Sequence, residues 1–464
     1  MPGEHDQTIA ALSTPPGESG IAVVRISGSH ALPILSTIFR TKDGSIGKDA
    51  WEHRRLYHGV IYDGASEAID DVICAVMRSP ESYTGEDVVE ISCHGNTLLV
   101  SRILRLIFDN GARSAEPGEF TKRAFLNGKI DLIQAEAVSD LIHAKSELQR
   151  KVAREQLSGT LSNRINRLAE ELLDLLGIVE ANIDFIEEGI ETLDFDAAVS
   201  MVKTHRQELG DLLEWSSLSR PFREGYRVVI AGPVNAGKSS IFNRLIGENR
   251  AIVTEVPGTT RDVIREPIVV DGLLFVLQDT AGLRGTRDLV ESIGVDLAET
   301  TAGEADVVVF VVDGSEPLST ETCSRLERLE SDRSFVVVNK IDLPAEVTAG
   351  RLKTTYPRLR IISVSVETGD GFGELKQTLV ESVGRDQLNW IARERVVLNS
   401  RLISLLEGAK TRLASCEKSF AGRAPLEILA LEVREVLSLY ETATGKRYTD
   451  DLLDSIFSRF CIGK

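Results

Sequence analysis

The sequence predicts a multidomain chain: an N-terminal α+β domain, an all-α central domain, and an α/β domain inserted into the helical one. Three changes of texture predict it. Residues 1–120 mix short β-rich runs (IAVVRI, DVICAVM, DVVEIS) with Gly and Pro turns. From Gly118 to Arg220 there is no proline. Leu161, Ile165, Leu168, Leu172, Leu175, Val179 and Ile183 recur there at three- and four-residue steps, the mark of a long amphipathic helix. From Arg227 to residue 383, apolar strands (RVVIA, DVVVFVVD, SFVVVNK, IISVS) alternate with helical stretches, which predicts a mostly parallel sheet covered on both faces.

The segments follow in order: 1–120, a first helical part 121–222 that Pro221 closes, the α/β domain 223–383, and a second helical part 384–464. Pro425 is the only proline of that last part, so the two helical parts read as one interrupted domain; two separate bundles are the alternative. The net charge of −18 over 464 residues argues against a generic phosphate-backbone binder, while a local basic patch or a basic partner protein stays compatible. The five cysteines form no CxxC pair, which signals neither a zinc site nor a disulfide framework and suggests reduced thiols in a cytoplasm. The polar start MPGEHDQTIA lacks a signal-peptide pattern, and no apolar run approaches the ~20 residues that span a bilayer.

The α/β segment carries the chemistry. Gly232-Pro-Val-Asn235-Ala236-Gly237-Lys238-Ser239-Ser240 matches GxxxxGK[ST] between a strand and a helical stretch. Its glycines permit a loop whose amides face phosphates, Lys238 reaches the β/γ-phosphates, and the Ser239 hydroxyl ligates Mg²⁺. Asn339-Lys340-Ile341-Asp342 follows the strand SFVVV; a carboxylate can accept from guanine N1–H and its 2-amino group, a donor pair adenine lacks. Ser365-Val366-Glu367 sits where GTPases keep a third base-contacting loop. Between these motifs lie Thr254, Val256, Gly258, Thr259 and Thr260, with Thr260 the natural switch residue for Mg²⁺. Asp279-Thr280-Ala281-Gly282 is the γ-phosphate sensor, fed by a hairpin about Asp271-Gly272. An inserted P-loop GTPase domain of the Ras-like kind is therefore expected. Leu283 occupies the place where Ras-like proteins keep a water-orienting glutamine.

Beyond these motifs the sequence resembles the MnmE (TrmE) family of tRNA-modifying GTPases. The resemblance rests on TIAALSTPPGESGIAVVRISG (8–28), SYTGEDVVEISCHGN (82–96), PGEFTKRAFLNGKIDLIQAEAVSDLI (117–142), TEVPGTTRDVIRE, DTAGLR and the closing FCIGK (460–464). It implies a homodimer whose G domain uses potassium, with ligands at Asn235, Thr254, Val256 and Thr259. It also implies a catalytic role for Glu291 in directing water, although the segment GTRDLVES departs from the acidic stretch common in the family. The N-terminal part would be a folate-binding domain for 5-formyltetrahydrofolate or another one-carbon tetrahydrofolate. Its contacts would be Arg25, Glu90, Lys129 and Lys464, with Cys461 a candidate catalytic thiol. The implied activity is GTP hydrolysis coupled, with an FAD-dependent MnmG-type partner, to adding an aminomethyl-type (carboxymethylaminomethyl) group at C5 of wobble uridine in tRNA. The competing reading is an Era-like ribosome-assembly switch. It calls for a basic RNA-binding domain after the G domain, whereas the C-terminal part is helical with acidic runs such as YTDDLLD.

Overall fold

The computed structural model describes residues 7–64, 67–184, 193–214, 219–249, 265–279, 305–383 and 396–464. The first stretch of chain contains β1 (Ile9–Leu12), β2 (Ser19–Ser27), α1 (Ala31–Ile38), β3 (Phe39–Arg40), β4 (Arg55–Tyr62), β5 (Ala68–Met77), β6 (Val88–Gly95), α2 (Thr97–Asp109) and β7 (Arg113–Ser114). Helices α3 (Glu119–Leu126), α4 (Leu132–His143), α5 (Glu147–Leu157), α6 (Thr160–Asp184), α7 (Phe195–Leu213) and α8 (Ser219–Glu224) follow. Next come β8 (Tyr226–Ala231), α9 (Lys238–Asn249), β9 (Arg265–Val270), β10 (Leu273–Asp279), β11 (Val307–Asp313), α10 (Thr320–Arg328), β12 (Ser334–Asn339), α11 (Ala349–Thr355), β13 (Arg360–Ser363) and α12 (Phe372–Ser382). The chain closes with α13 (Ser400–Ala421), α14 (Leu426–Thr444) and α15 (Asp450–Phe457). Two compact units result: residues 1–139, 159–176 and 434–464 form one, and 140–158 with 177–433 the other.

In the first unit, seven strands run in the order β3-β4-β5-β6-β2-β1-β7. Strand period two sends Val24 and Ile26 of β2 into a core with Leu35, Val76, Ile91 and Ile103, and turns Arg25 to the opposite face. Trp51 is buried between Phe39 and Tyr57 and satisfies its indole N–H on Ser36 Oγ at 2.8 Å. A second cluster joins Phe125 and Leu132 to Leu453, Ile456, Phe457 and Phe460, which holds the chain terminus in place. A chain end frays unless it is packed in this way. Gly118 is needed at this junction: its φ is +69°, and a Cβ would lie 2.6 Å from the Phe457 carbonyl oxygen.

In the second unit, the sheet order is β13-β12-β11-β8-β10-β9, all neighbours parallel except the β9–β10 hairpin. That hairpin turns at Asp271 (φ 48°) and Gly272 (φ 81°), as the Asp-Gly dipeptide predicts. Every residue of β11 is buried, with Val309 and Val311 joining one core and Phe310 and Val312 another. The expected two-sided coverage is thus present. The first core packs against Phe242 and Leu245 of α9 and Leu375 of α12, the second against Leu326 of α10 and Leu352 of α11. One expectation is corrected. Pro221 does not end the helical region but lies inside α8, early enough that its missing N–H deprives no helical acceptor. Among the described residues, no helix is long and apolar enough to cross a membrane.

Candidate active site

Parallel strands β8, β11 and β12 point their carboxyl ends the same way, and ligands in such sheets bind beyond those ends. The P-loop leaves β8 there and opens α9. Two of its glycines are obligatory: a Cβ on Gly232 (φ +141°) would sit 2.1 Å from the Val311 oxygen, and one on Gly237 (φ +91°) 2.1 Å from Asn339 Nδ2. Asn235 also takes a left-handed φ of 64°, a conformation asparagine tolerates better than most residues. Asn339 Nδ2 donates to the Ala236 carbonyl at 2.9 Å, so the last residue of β12 ties the base motif to the phosphate loop. Lys238 Nζ donates to the Pro233 carbonyl at 2.7 Å, within its own loop. Ser239 and Ser240 occupy the first turn of α9, and Asp279 ends β10 in register with Ile230 of β8. The Ser239 hydroxyl is a hard oxygen donor of the kind a small cation takes.

The base side is built by hydrogen bonds across the loops. Asp342 accepts from the Ser365 hydroxyl, which in turn accepts the Thr368 N–H at 3.2 Å. Lys340, with φ 63°, forms an ion pair with Asp313 at the end of β11. Burial alone would raise the Asp313 pKa, but bonds from Lys340 and from the Ser315 hydroxyl and N–H together hold it below its ordinary value. The Val366 carbonyl accepts from Arg244 of α9, and Glu367 follows it in the loop. Asp313 and Arg244 were not apparent from sequence. A charged residue closing the otherwise apolar run DVVVFVVD was the available signal for Asp313. Arg244 gave none, because an arginine in mid-helix reads as a solvated charge. Thr254, Val256, Gly258, Thr259, Thr260, Thr280, Ala281, Gly282 and Glu291 lie outside the described residues.

In the first unit, Arg25 of β2 and Glu90 of β6 are cross-strand partners, and Glu90 Oε1 accepts from Arg25 Nε and Nη2 at 2.9 and 2.7 Å. The guanidinium lies 5.5 Å from both the Tyr83 and Phe120 ring centroids. The chain terminus is fastened beside it: the Gly463 carbonyl accepts from Ser13 Oγ at 3.1 Å and Arg25 Nη1 at 3.5 Å, and the Lys464 carbonyl accepts the Phe120 N–H at 3.1 Å. Gly463 can approach this closely because it has no side chain; a Cβ would meet the Leu12 oxygen at 2.2 Å. Cys461 is exposed, and its carbonyl accepts the Gly118 N–H at 3.4 Å. Lys129 instead donates to the Pro80 carbonyl at 3.0 Å, on the 79–87 loop that also supplies Tyr83. The structure therefore brings together Arg25, Glu90 and the terminal backbone, with Lys129 bonded elsewhere on the adjoining loop. A carboxylate near two aromatic rings is chemistry that suits a planar heterocycle with N–H donors, and cations suit an anionic tail.

Comparison with known proteins matches a family model described as GTP-binding protein TrmE N-terminus to residues 8–129, and one described as MnmE helical domain to residues 132–461. The tRNA modification GTPase MnmE of Lactiplantibacillus plantarum is 41% identical over 98% of this chain and 98% of its own length. The chain belongs to the MnmE family. The MnmE proteins of Geobacter sulfurreducens (44% identical, 99% of each chain) and Aquifex aeolicus (42% identical, 99% of this chain and 100% of that one) agree. As an MnmE-family member with an assembled P-loop and base motif, it is a GTP hydrolase.

Proposed function

We propose that this GTPase acts on tRNA, coupling hydrolysis in the second unit to one-carbon chemistry in the first. The observation carrying the reading is the fastening of the C-terminal FCIGK segment beside Arg25 and Glu90 on a chain that also holds an assembled P-loop. In this reading Arg25, Glu90, Lys129 and Lys464 hold a formyl-type tetrahydrofolate, and Cys461 stands near it as a nucleophile. Among the described residues Glu90 Oε2 takes no hydrogen bond, which leaves an acceptor for a pterin N–H. A homodimer in the cytoplasm, working with an FAD-dependent MnmG-type partner, would add a carboxymethylaminomethyl group at C5 of wobble uridine. Glu90→Gln removes the charge that holds Arg25 and accepts the heterocycle. It is expected to weaken 5-formyltetrahydrofolate binding roughly tenfold or more by calorimetry while leaving GTP hydrolysis unchanged.

On the GTP side, Ser239 and Thr260 would hold Mg²⁺, and Asn235, Thr254, Val256 and Thr259 potassium. The bound cation supplies positive charge where negative charge grows between the β- and γ-phosphates. Glu291 would orient the attacking water, which explains why Leu283 is tolerated in place of a glutamine. Steady-state GTP hydrolysis in KCl against NaCl at equal ionic strength tests this. Potassium is expected to accelerate hydrolysis by about tenfold or more, a part of the ~10³–10⁵ an arginine finger provides, and Asn235→Ala or Glu291→Ala should abolish the acceleration. Equal, slow rates in both salts would refute cation assistance.

A further inference from the structure

The helix that begins in the phosphate loop also grips the loop at the opposite end of the nucleotide site. Arg244 lies six residues beyond Lys238 on α9, and one of its Nη atoms donates to the Val366 carbonyl. Its guanidinium carbon sits 5.0 Å from the ring centroid of Phe372, the first residue of α12 and a buried one. Its Nε donates to Glu248 Oε1 at 3.0 Å, and Glu248 Oε2 accepts from Lys376 of α12 at 2.7 Å. The Lys376 bond chiefly, with Arg244 behind it, holds the Glu248 carboxyl below its ordinary pKa, so the chain of charges is complete at neutral pH. Gly369 makes the approach possible: at φ +89° it runs past the guanidinium, and a Cβ there would lie 2.3 Å from Arg244 Nη2.

The loop held in this way is compact. Ser365 N–H donates to the Asp370 carbonyl at 3.0 Å, and Gly369 N–H to the Ser365 carbonyl at 2.9 Å. One edge of it is bonded to Asp342 through the Ser365 hydroxyl and the other to α9 through Val366. Peptide planarity gives the second bond a directional consequence. Because the Val366 carbonyl points at α9, the N–H of Glu367 in the same trans peptide points away from that helix. The same bond limits rotation about the Val366 backbone and hence the aim of its own N–H. Neutral backbone donors of this kind suit a carbonyl acceptor, and guanine presents O6 on the edge that carries N1–H.

We propose that Arg244 is a positioning residue for guanine recognition, fixing the backbone donors of the 365–367 loop toward O6 from the helix that also carries Lys238 and Ser239. The proposal rests on the reading of 365–367 as a base-contacting loop and adds the device that aims it. It gives one rigid helix a hand in both the phosphate and the base ends of the site.

The test measures affinity for GDP, 6-thio-GDP and IDP by calorimetry, in the full chain and in Arg244→Gln and Arg244→Lys. Sulfur at position 6 is a weak acceptor, so 6-thio-GDP reports the O6 contact; IDP lacks the 2-amino group and reports the Asp342 contact. The full chain should bind 6-thio-GDP about three- to tenfold more weakly than GDP, the range of one hydrogen bond. In Arg244→Gln the GDP affinity should fall by a similar factor and the GDP/6-thio-GDP ratio should approach one, with the GDP/IDP ratio unchanged. Arg244→Lys should recover part of the discrimination. If the full chain does not distinguish GDP from 6-thio-GDP, the base-loop reading fails and the proposal with it. If it does distinguish them and Arg244→Gln keeps the same ratio, or loses affinity for all three nucleotides equally, the loop reading stands and the role of Arg244 is refuted.

Discussion

Arg123→Met is expected to lower the unfolding free energy of the N-terminal sheet by about 3–5 kcal/mol, the cost of breaking a buried ion pair from one side. Arg123 is 3% exposed and Glu119 is 6% exposed. Arg123 Nη1 donates to both Glu86 oxygens at 3.0 Å, and Nη2 donates to Glu119 at 2.9 Å and the Gln7 carbonyl at 2.7 Å. Methionine fills the volume but leaves Glu86 with the Ser27 hydroxyl and Glu119 with Arg113 as the charged partner that remains. Among the described residues the half-buried Glu86 carboxylate loses the cation bonded to it, and the buried Glu119 carboxylate keeps one of two. Denaturant titration with Trp51 as reporter, in a background carrying Trp215→Phe and Trp390→Phe, reads the loss directly.

The same network sets an acid limit. Burial pushes the Glu119 carboxyl up, but the bonds from Arg113, from the Glu116 N–H and from Arg123 together hold it below its ordinary value. A group with a depressed folded pKa contributes stability that is present above its unfolded pKa and lost as pH falls through the folded value. The wild-type sheet should therefore hold into the acid range below ordinary glutamate titration. Arg123→Met should begin to lose stability at a higher pH. The consequence for the site is direct, since Glu86 belongs to the loop that lays Tyr83 against Arg25.

Asp342→Asn is expected to weaken GDP and GTP binding by about a hundredfold or more, because two charge-assisted hydrogen bonds of about 1.5–3 kcal/mol each are at stake. Asparagine retains an oxygen for the Ser365 hydroxyl, so the loop should survive. Its amide N–H₂ would, however, face the guanine 2-amino group, donor against donor. Xanthine carries a carbonyl at that carbon, and xanthosine nucleotides should gain affinity in the variant while losing to guanosine nucleotides in the wild type. Calorimetric titration of GDP and XDP into both proteins checks the inversion. An unchanged GDP affinity would mean that the base is read elsewhere.

Much of the nucleotide site was legible because its motifs are contiguous. A phosphate loop and NKID each carry their chemistry within a few residues, and apolar runs of strand length gave the sheet. The β9–β10 hairpin was equally local, written in Asp271-Gly272. The rest depends on pairings that sequence does not display. Arg25 and Glu90 are 65 residues apart, and only the β2–β6 register makes them neighbours. Periodicity states which face a residue occupies, not what stands opposite. Asp313 beside Lys340 and Arg244 beneath Val366 were hidden for that reason. The proposed folate contacts come only from the family resemblance, since each residue alone reads as a surface charge. Pro221 misled because proline closes a helix only when it falls beyond the first turn.

The most direct measurement is the extent of wobble-uridine modification in tRNA treated with this chain and the FAD-dependent MnmG-type protein proposed as its partner, scored by nucleoside mass spectrometry. Parallel reactions would contain GTP, its β,γ-imido analogue or no nucleotide. Coupling of hydrolysis to the one-carbon site predicts modified uridine with GTP and little or none in the other two. Equal modification with the imido analogue or without nucleotide would contradict the account, since the hydrolysis that the P-loop, Asn339 and Asp342 are built to support would then be doing no work on tRNA.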